Sequence, residues 1–205
     1  MTAPGRPLPK QERAQQTYDR LLAVAGELLG EVGIDQISTN LICTRAGVTP
    51  PALYRYFADK YAVLEALGRR LMDRQNAVLE AWIARHVDGG AAALRGHNEE
   101  LLRETMAVTN AEPGAVWILR ALHASPRLIH VRLESHRLVT DLLTDAYARH
   151  LPDADRDALW RQLRLSVEIG FCGIEMLHEE TSMPADEVIA QVVAMLAREQ
   201  LEPPA

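Results

Sequence analysis

The residues best equipped for chemistry lie between Ser38 and Lys60. From Pro50 to Phe57, Leu53 and Phe57 stand four apart and take the inner face of a short helix, turning Pro51, Ala52, Tyr54, Arg55 and Tyr56 toward solvent. So short a helix does not hold itself together in water, and it persists only where packing supports it. Its outward phenols and guanidinium are groups that meet phosphates and base edges, and its size suits a DNA major groove. Arg55 is by type a guanine reader, unless helix geometry aims it at the backbone instead, and Asn40 can both donate to and accept from adenine. Lys60 opens the next helix, where its charge and the free backbone N–H groups both attract a phosphate oxygen.

Other chemistry finds weaker support. His130 and Glu134 share a helix face, with His123 two turns away, but the second histidine of a helical zinc motif is missing. A metal-binding sensor is therefore the rival reading, and no metal ligand set or cofactor is assigned. No nucleophile elbow, phosphate loop or dinucleotide fingerprint occurs, which argues against an enzyme. Gly170 and Gly173 fall within a helix-forming run. Cys43 and Cys172 have no metal-ligating neighbour, so Cys43 is expected as a packing residue and the setting as a reducing cytoplasm.

The elements that must position these residues are all helices. Leu21, Ala25, Leu28, Leu29 and Val32 form one apolar face that Gly33 ends. Ser38 caps a second helix carrying Ile42, Cys43 and Ala46, and Gly47 ends it. Thr49 caps the third, with Pro50 and Pro51 in a first turn that tolerates them. A longer helix follows from Lys60 to Asp88-Gly89-Gly90. Further helices are expected over 91–109, 115–124, from Ser125-Pro126 to about His150, over 154–180 and over 184–200. The fold class is all-α, about nine helices in total.

The chain has 205 residues, 48% hydrophobic and 24% charged, with a net charge of −6. Residues 1–60 hold seven Lys/Arg against six Asp/Glu, so the acidity belongs to the remainder and does not exclude nucleic acid. The opening MTAPGRPLPK lacks the apolar stretch of a secretory leader and reads as a flexible basic arm over 1–12. No run approaches the roughly 18 apolar residues of a membrane span, so no membrane partner is expected.

The run from Ser38-Thr39 through Ile42-Cys43, Ala46-Gly47-Val48-Thr49-Pro50-Pro51-Ala52-Leu53-Tyr54-Arg55-Tyr56-Phe57, Lys60 and Leu64 resembles the signature of the TetR family of bacterial repressors. Leu22, Ala25, Leu28 and Gly33 upstream fit the same pattern, so the resemblance covers about residues 13–65. It implies a helix-turn-helix DNA-binding domain over 13–60 and a helical ligand-binding and dimerisation domain over 61–205. Thr39, Tyr56 and Lys60 would then contact phosphates, and Asn40, Pro50, Pro51, Ala52 and Tyr54 would lie near base edges or the groove wall. Cys43 departs from the family's usual alanine. The implied activity is repression at a palindromic operator in double-stranded DNA, relieved by an unknown small-molecule ligand. A helical binding module without DNA binding is the remaining alternative, opposed by the basic arm and by Tyr54, Tyr56 and Lys60.

For the second domain, the last two helices are expected to pair two subunits into a homodimer. Leu159, Leu163, Ser166, Gly170, Gly173 and Leu177 form one face whose small residues would let a partner approach closely. Val188, Ile189, Val192, Val193, Met195 and Leu196 read as a final helix buried on two sides. Candidate ligand contacts, chosen as aromatic, sulphur-containing or polar residues on the middle helices, are Met106, Trp117, His123 and Phe171.

Overall fold

The computed structural model describes residues 10–180 and 182–198, which form ten α-helices and one 3-10 turn and no strand. Most of the proposed basic arm, with Arg6, and the expected end of the last helix, Glu199 and Gln200, lie outside the described residues.

Helix α1, Lys10–Gln36, buries Leu21, Leu22, Ala25, Leu28 and Leu29. The chain kinks at Gly33, whose φ of 73° suits glycine. A Cβ there would stand 3.1 Å from the Trp117 ring. Helix α2, Thr39–Ala46, begins where the Ser38 side chain accepts from the Leu41 N–H at 3.2 Å and stops at Gly47 in the left-handed region. Helix α3 is Pro50–Tyr54, shorter than the expected run to Phe57. After Tyr54 the Tyr56 and Phe57 N–H groups both fold back onto the Leu53 carbonyl, closing a turn that seats Phe57 in the core. Thr49 sits at the cap position without a side-chain bond.

Helix α4, Lys60–His86, is capped by Asp59, whose carboxylate accepts from the Ala62 N–H at 3.0 Å. It belongs to two cores at once. Val63, Leu64, Leu67, Leu71 and Met72 join α1–α3, while Leu79 and Trp82 join the distal core. The expected helix over 91–109 is divided into α5, Gly90–Gly96, and α6, Asn98–Asn110. The break at His97 has a tertiary cause: its carbonyl accepts from Trp82 Nε1 at 2.9 Å, and its ring stacks on His86. Helix α7 is Ala115–Ala124 and α8 is Ile129–Ala148, starting later than expected because Ser125 accepts from Leu128 in a turn of its own. Helix α9, Arg156–Glu179, is capped by Asp155, and α10 is Ala185–Arg198.

The α1–α4 core also takes in Ile118, Leu119, Ala121 and Leu122 of α7 and Leu128 and Val131 around the start of α8. A second core packs α4, α8 and α9, and a third packs α6, α9 and α10.

Candidate nucleic-acid interface and internal cavity

Helices α2 and α3 meet at a hydrogen bond of 3.1 Å between Thr39 Oγ1 and Tyr54 Oη. This links the start of one helix to the exposed face of the next. Tyr54 is 52% exposed, and Asn40, Thr49, Pro50, Pro51 and Arg55 are also exposed around it. Arg55 has no ion pair with any described residue, whereas Arg45 is held by Glu31 in a two-pronged pair at 2.9 and 2.8 Å. That pair lowers the Glu31 carboxyl pKa and raises that of Arg45. Tyr56 is half-buried rather than free, edge-on to Tyr18 with ring centres 6.0 Å apart. Ala52 and Thr39 are half-buried as well.

Lys60 is less free than its place at a helix start suggested. Its Nζ donates to the Ile34 carbonyl at 3.3 Å, just past the kink that Gly33 makes in α1. That contact involves no carboxylate. Cys43 is buried at 3% exposure, and burial raises its thiol pKa.

The second site is a narrow cavity between α4, α6, α8 and α9, lined among others by Gln75, Leu79, Leu102, Val139, Tyr147 and Phe171. Of the four residues expected there, only Phe171 lines it. Met106 packs instead against the third core, because it lies on the α6 face toward α10. Trp117 covers Gly33 and carries the Arg120 guanidinium 5.0 Å above its ring. His123 sits in a separate recess near Glu175, at 3.5 Å. Gln75 was missed, although a polar residue between Leu71 and Leu79 in an otherwise apolar row was a readable sign.

The cavity is joined to the N-terminal helices through α6. Thr109 accepts from Gln75 Nε2 at 2.8 Å, and one turn later Glu112 pairs with both Arg70 and Arg74 of α4. The Glu112 carboxylate is 1% exposed. Beyond it, Gly114 lies so close to α1 that a Cβ would meet the Gly26 carbonyl at 2.6 Å. Helix α6 and the loop after it are thus bonded to α4 and packed against α1.

The rival metal reading rested on His130 and Glu134, whose side chains have other partners in the fold. The Nε2 of His130 lies 3.2 Å from Glu65 and 3.3 Å from the Arg69 guanidinium, which also takes Glu134 at 3.1 Å. A cation already occupies the middle of that group. Among the described residues, His86, His97 and Glu100 are the three such ligands brought within 4.8 Å of one another. Their imidazoles stack 3.9 Å apart at 15°, His86 Nε2 already lies 3.0 Å from Glu100 and His97 Nδ1 2.7 Å from the Ala93 carbonyl, and Arg85 holds Glu100 at 2.7 Å.

The face of α9 proposed for a partner is occupied within the chain. A Cβ on Gly173 would strike Val192 of α10 at 2.6 Å, and Leu159, Leu163 and Ser166 are buried. The opposite stripe is open: Leu165 is 55% and Met176 37% exposed, with Cys172 between them. In α10, Val188, Ile189, Val192 and Leu196 are buried, Val193 is half-buried and Met195 is 52% exposed, so the helix buries one side in this subunit. No helix of the described residues is long and apolar enough to cross a membrane.

Comparison with known proteins places these features among relatives. Residues 21–67 match the family model for bacterial regulatory proteins of the tetR family. The tetracycline repressor protein class A from transposon 1721 of Escherichia coli is 40% identical over 52 residues, covering 25% of this chain and 24% of that protein. The A-factor receptor protein of Streptomyces griseus is 36% identical over 97 residues, covering 43% of this chain and 33% of that protein. The chain thus aligns with a quarter to a third of the length of these relatives. A solved TetR-family transcriptional regulator from Streptomyces coelicolor superposes with a TM-score of 0.63 at 25% identity, over 89% of this chain and 96% of its own.

Proposed function

We propose that the chain belongs to the tetR family of bacterial regulatory proteins, whose model matches residues 21–67, and that it is a sequence-specific transcriptional regulator, a repressor that a small-molecule ligand releases from a palindromic operator. The observation carrying this reading is the α2–α3 surface, where Thr39 and Tyr54 are bonded together and Asn40, Pro50, Pro51 and Arg55 stand exposed around them. Thr39, Tyr56 and Lys60 hold phosphates, and Asn40, Thr49, Pro50, Pro51, Ala52, Tyr54 and Arg55 face the groove. Residues 13–60 read DNA, and 61–205 sense the ligand and dimerise, with α4 physically part of both. Such a protein is a transcription factor of the cytoplasm and not an enzyme.

The partner subunit covers the open stripe of Leu165, Cys172 and Met176 on α9 together with Met195 on α10. Two recognition helices then reach successive major grooves roughly 34 Å apart. Ligand in the cavity displaces α6, the Gln75–Thr109 bond and the Glu112 pairs pass that shift to α4, and the Gly114 contact with Gly26 passes it to α1. Release requires only that the ligand favour the spacing that fits DNA less well.

The test is selection from a random duplex library at one fixed salt concentration, since phosphate contacts make affinity steeply salt-dependent. An enriched inverted repeat is expected. A folded dimer that recovers DNA without sequence preference contradicts the proposal.

A further inference from the structure

Of the polar side chains lining the cavity, Gln75, Thr105 and Ser166 present acceptor oxygens, alongside Asn98 and Tyr147 in the same walls. Gln75 is 3% exposed, and its Nε2 donates to Thr109 Oγ1 at 2.8 Å. Thr109 spends its own proton on the Thr105 carbonyl at 2.7 Å, so its hydroxyl can only accept from Gln75. That chain fixes the amide's orientation and leaves Gln75 Oε1 buried with no hydrogen-bond partner. Two further lining hydroxyls also spend their protons within their own helices. Thr105 donates to the Leu101 carbonyl at 2.8 Å and Ser166 to that of Gln162 at 3.2 Å, so each offers the cavity only lone pairs. A buried acceptor without a donor is costly, and native proteins rarely leave one idle.

Among the described residues, no Lys, Arg, His, Asp or Glu lines the cavity. An anionic ligand would lose its hydration there without meeting a cation. Phe171 forms a fixed flat wall, because His136 stacks on its ring at 4.2 Å and 9°. We propose that this cavity takes a neutral, largely apolar molecule bearing one hydroxyl or N–H group, whose proton is received by Gln75 Oε1 while the apolar body lies against Leu79, Val139, Leu143 and Phe171. The inference rests on the ligand-released reading of the same cavity and adds the class of ligand. It also gives the trigger: the incoming donor engages the amide already bonded to α6 through Thr109.

The test uses three probes of matched shape, 4-hexylphenol, 4-hexylanisole and 4-hexylbenzoate, titrated calorimetrically into the full-length dimer. The phenol is expected to bind about tenfold tighter than the anisole, the value of one hydrogen bond to an otherwise unsatisfied acceptor, and the benzoate least. In Gln75→Leu the phenol should fall to the level of the anisole, with the anisole undiminished. The wild-type ranking stands on its own should that variant not fold. Anisole equal to phenol in the wild type, or a gap that survives in a folded Gln75→Leu, overturns the role of Gln75. Benzoate binding tightest, with release of the selected DNA, overturns the ligand class and leaves the ligand-released regulator standing. Absence of binding by all three to a folded dimer that still holds its DNA overturns the assigned ligand class and leaves the regulator reading to the DNA selection.

Discussion

Three glycines offer a graded test of how the 112–114 loop is locked onto α1. Gly114 has a φ of 74°, and a Cβ there would lie 2.6 Å from the Gly26 carbonyl and 3.2 Å from the Gly30 nitrogen. Both are helix backbone atoms, so no side chain can rotate away. Alanine then meets a left-handed cost of about 1–2 kcal/mol and an overpacking cost of about 1–3 kcal/mol. The net loss for Gly114→Ala is expected at about 2–4 kcal/mol once the stiffer unfolded chain is credited. Gly47 has a φ of 62° but nothing within 4 Å, so Gly47→Ala should lose about 1 kcal/mol or less. Gly96, at the end of α5, has nothing within 4 Å and no positive φ, so Gly96→Ala should gain about 0.5–1 kcal/mol. Urea denaturation at one protein concentration reads all three, with unchanged slope and shifted midpoint. If Gly114→Ala proves no less stable than Gly47→Ala, the loop is not locked and the route from α6 to α1 fails with it.

Lys60→Ala should weaken binding to every DNA sequence alike and lower the salt slope by about one unit, with a stability change under about 1 kcal/mol. A changed sequence preference at constant slope would remove Lys60 from the phosphate contacts. Leu165→Glu should convert the dimer to monomers in sedimentation and speed maleimide labelling of Cys172, while buried Cys43 stays slow. A dimer that persists places the interface elsewhere. Acid should destabilise the protein in two stages around the His136–Glu168 pair, bonded at 2.9 Å. Burial lowers the His136 pKa against the pull of Glu168, so its contribution is present above the unfolded pKa of about 6.5 and fades as pH falls. Burial alone would raise Glu168, but His136 and Arg164 outweigh it and hold it at about 2. Its contribution is therefore complete above the unfolded value of about 4.3 and is lost as pH falls toward 2. Urea midpoints against pH should flatten below about 4.3 in Glu168→Gln; an unchanged acid limb there argues against this assignment.

What was legible in the sequence was mostly local chemistry. Ser38 and Gly47 bracket α2 because a hydroxyl acceptor and a residue tolerant of positive φ act within a few residues of themselves. The inward pairing of Leu53 and Phe57 follows from spacing alone, and both are buried. Features set by distant partners were not legible. Helix α6 starts where it does because Trp82, fifteen residues earlier, takes the His97 carbonyl. Spacing identified Gly173 as a point of close approach without saying that the approaching helix is the chain's own α10, through Val192. The same limit governs the cavity. Trp117 and His123 are chemically suited to a ligand, but helix packing sends them to the Gly33 kink and to Glu175. Gln75 was marked by its polarity within an apolar row, and its idle Oε1 becomes visible only once Thr109 is placed beside it.

The central claim is that a dimer reads DNA through its paired α2–α3 surfaces. Hydroxyl-radical footprinting on the selected duplex tests it most directly, comparing the wild type with Tyr54→Ala. Two protected patches are expected on one face of the duplex, centred about one helical turn (roughly 34 Å) apart, or a multiple of it, and both weakened together in the variant. A single patch, or full protection retained without Tyr54, would contradict it.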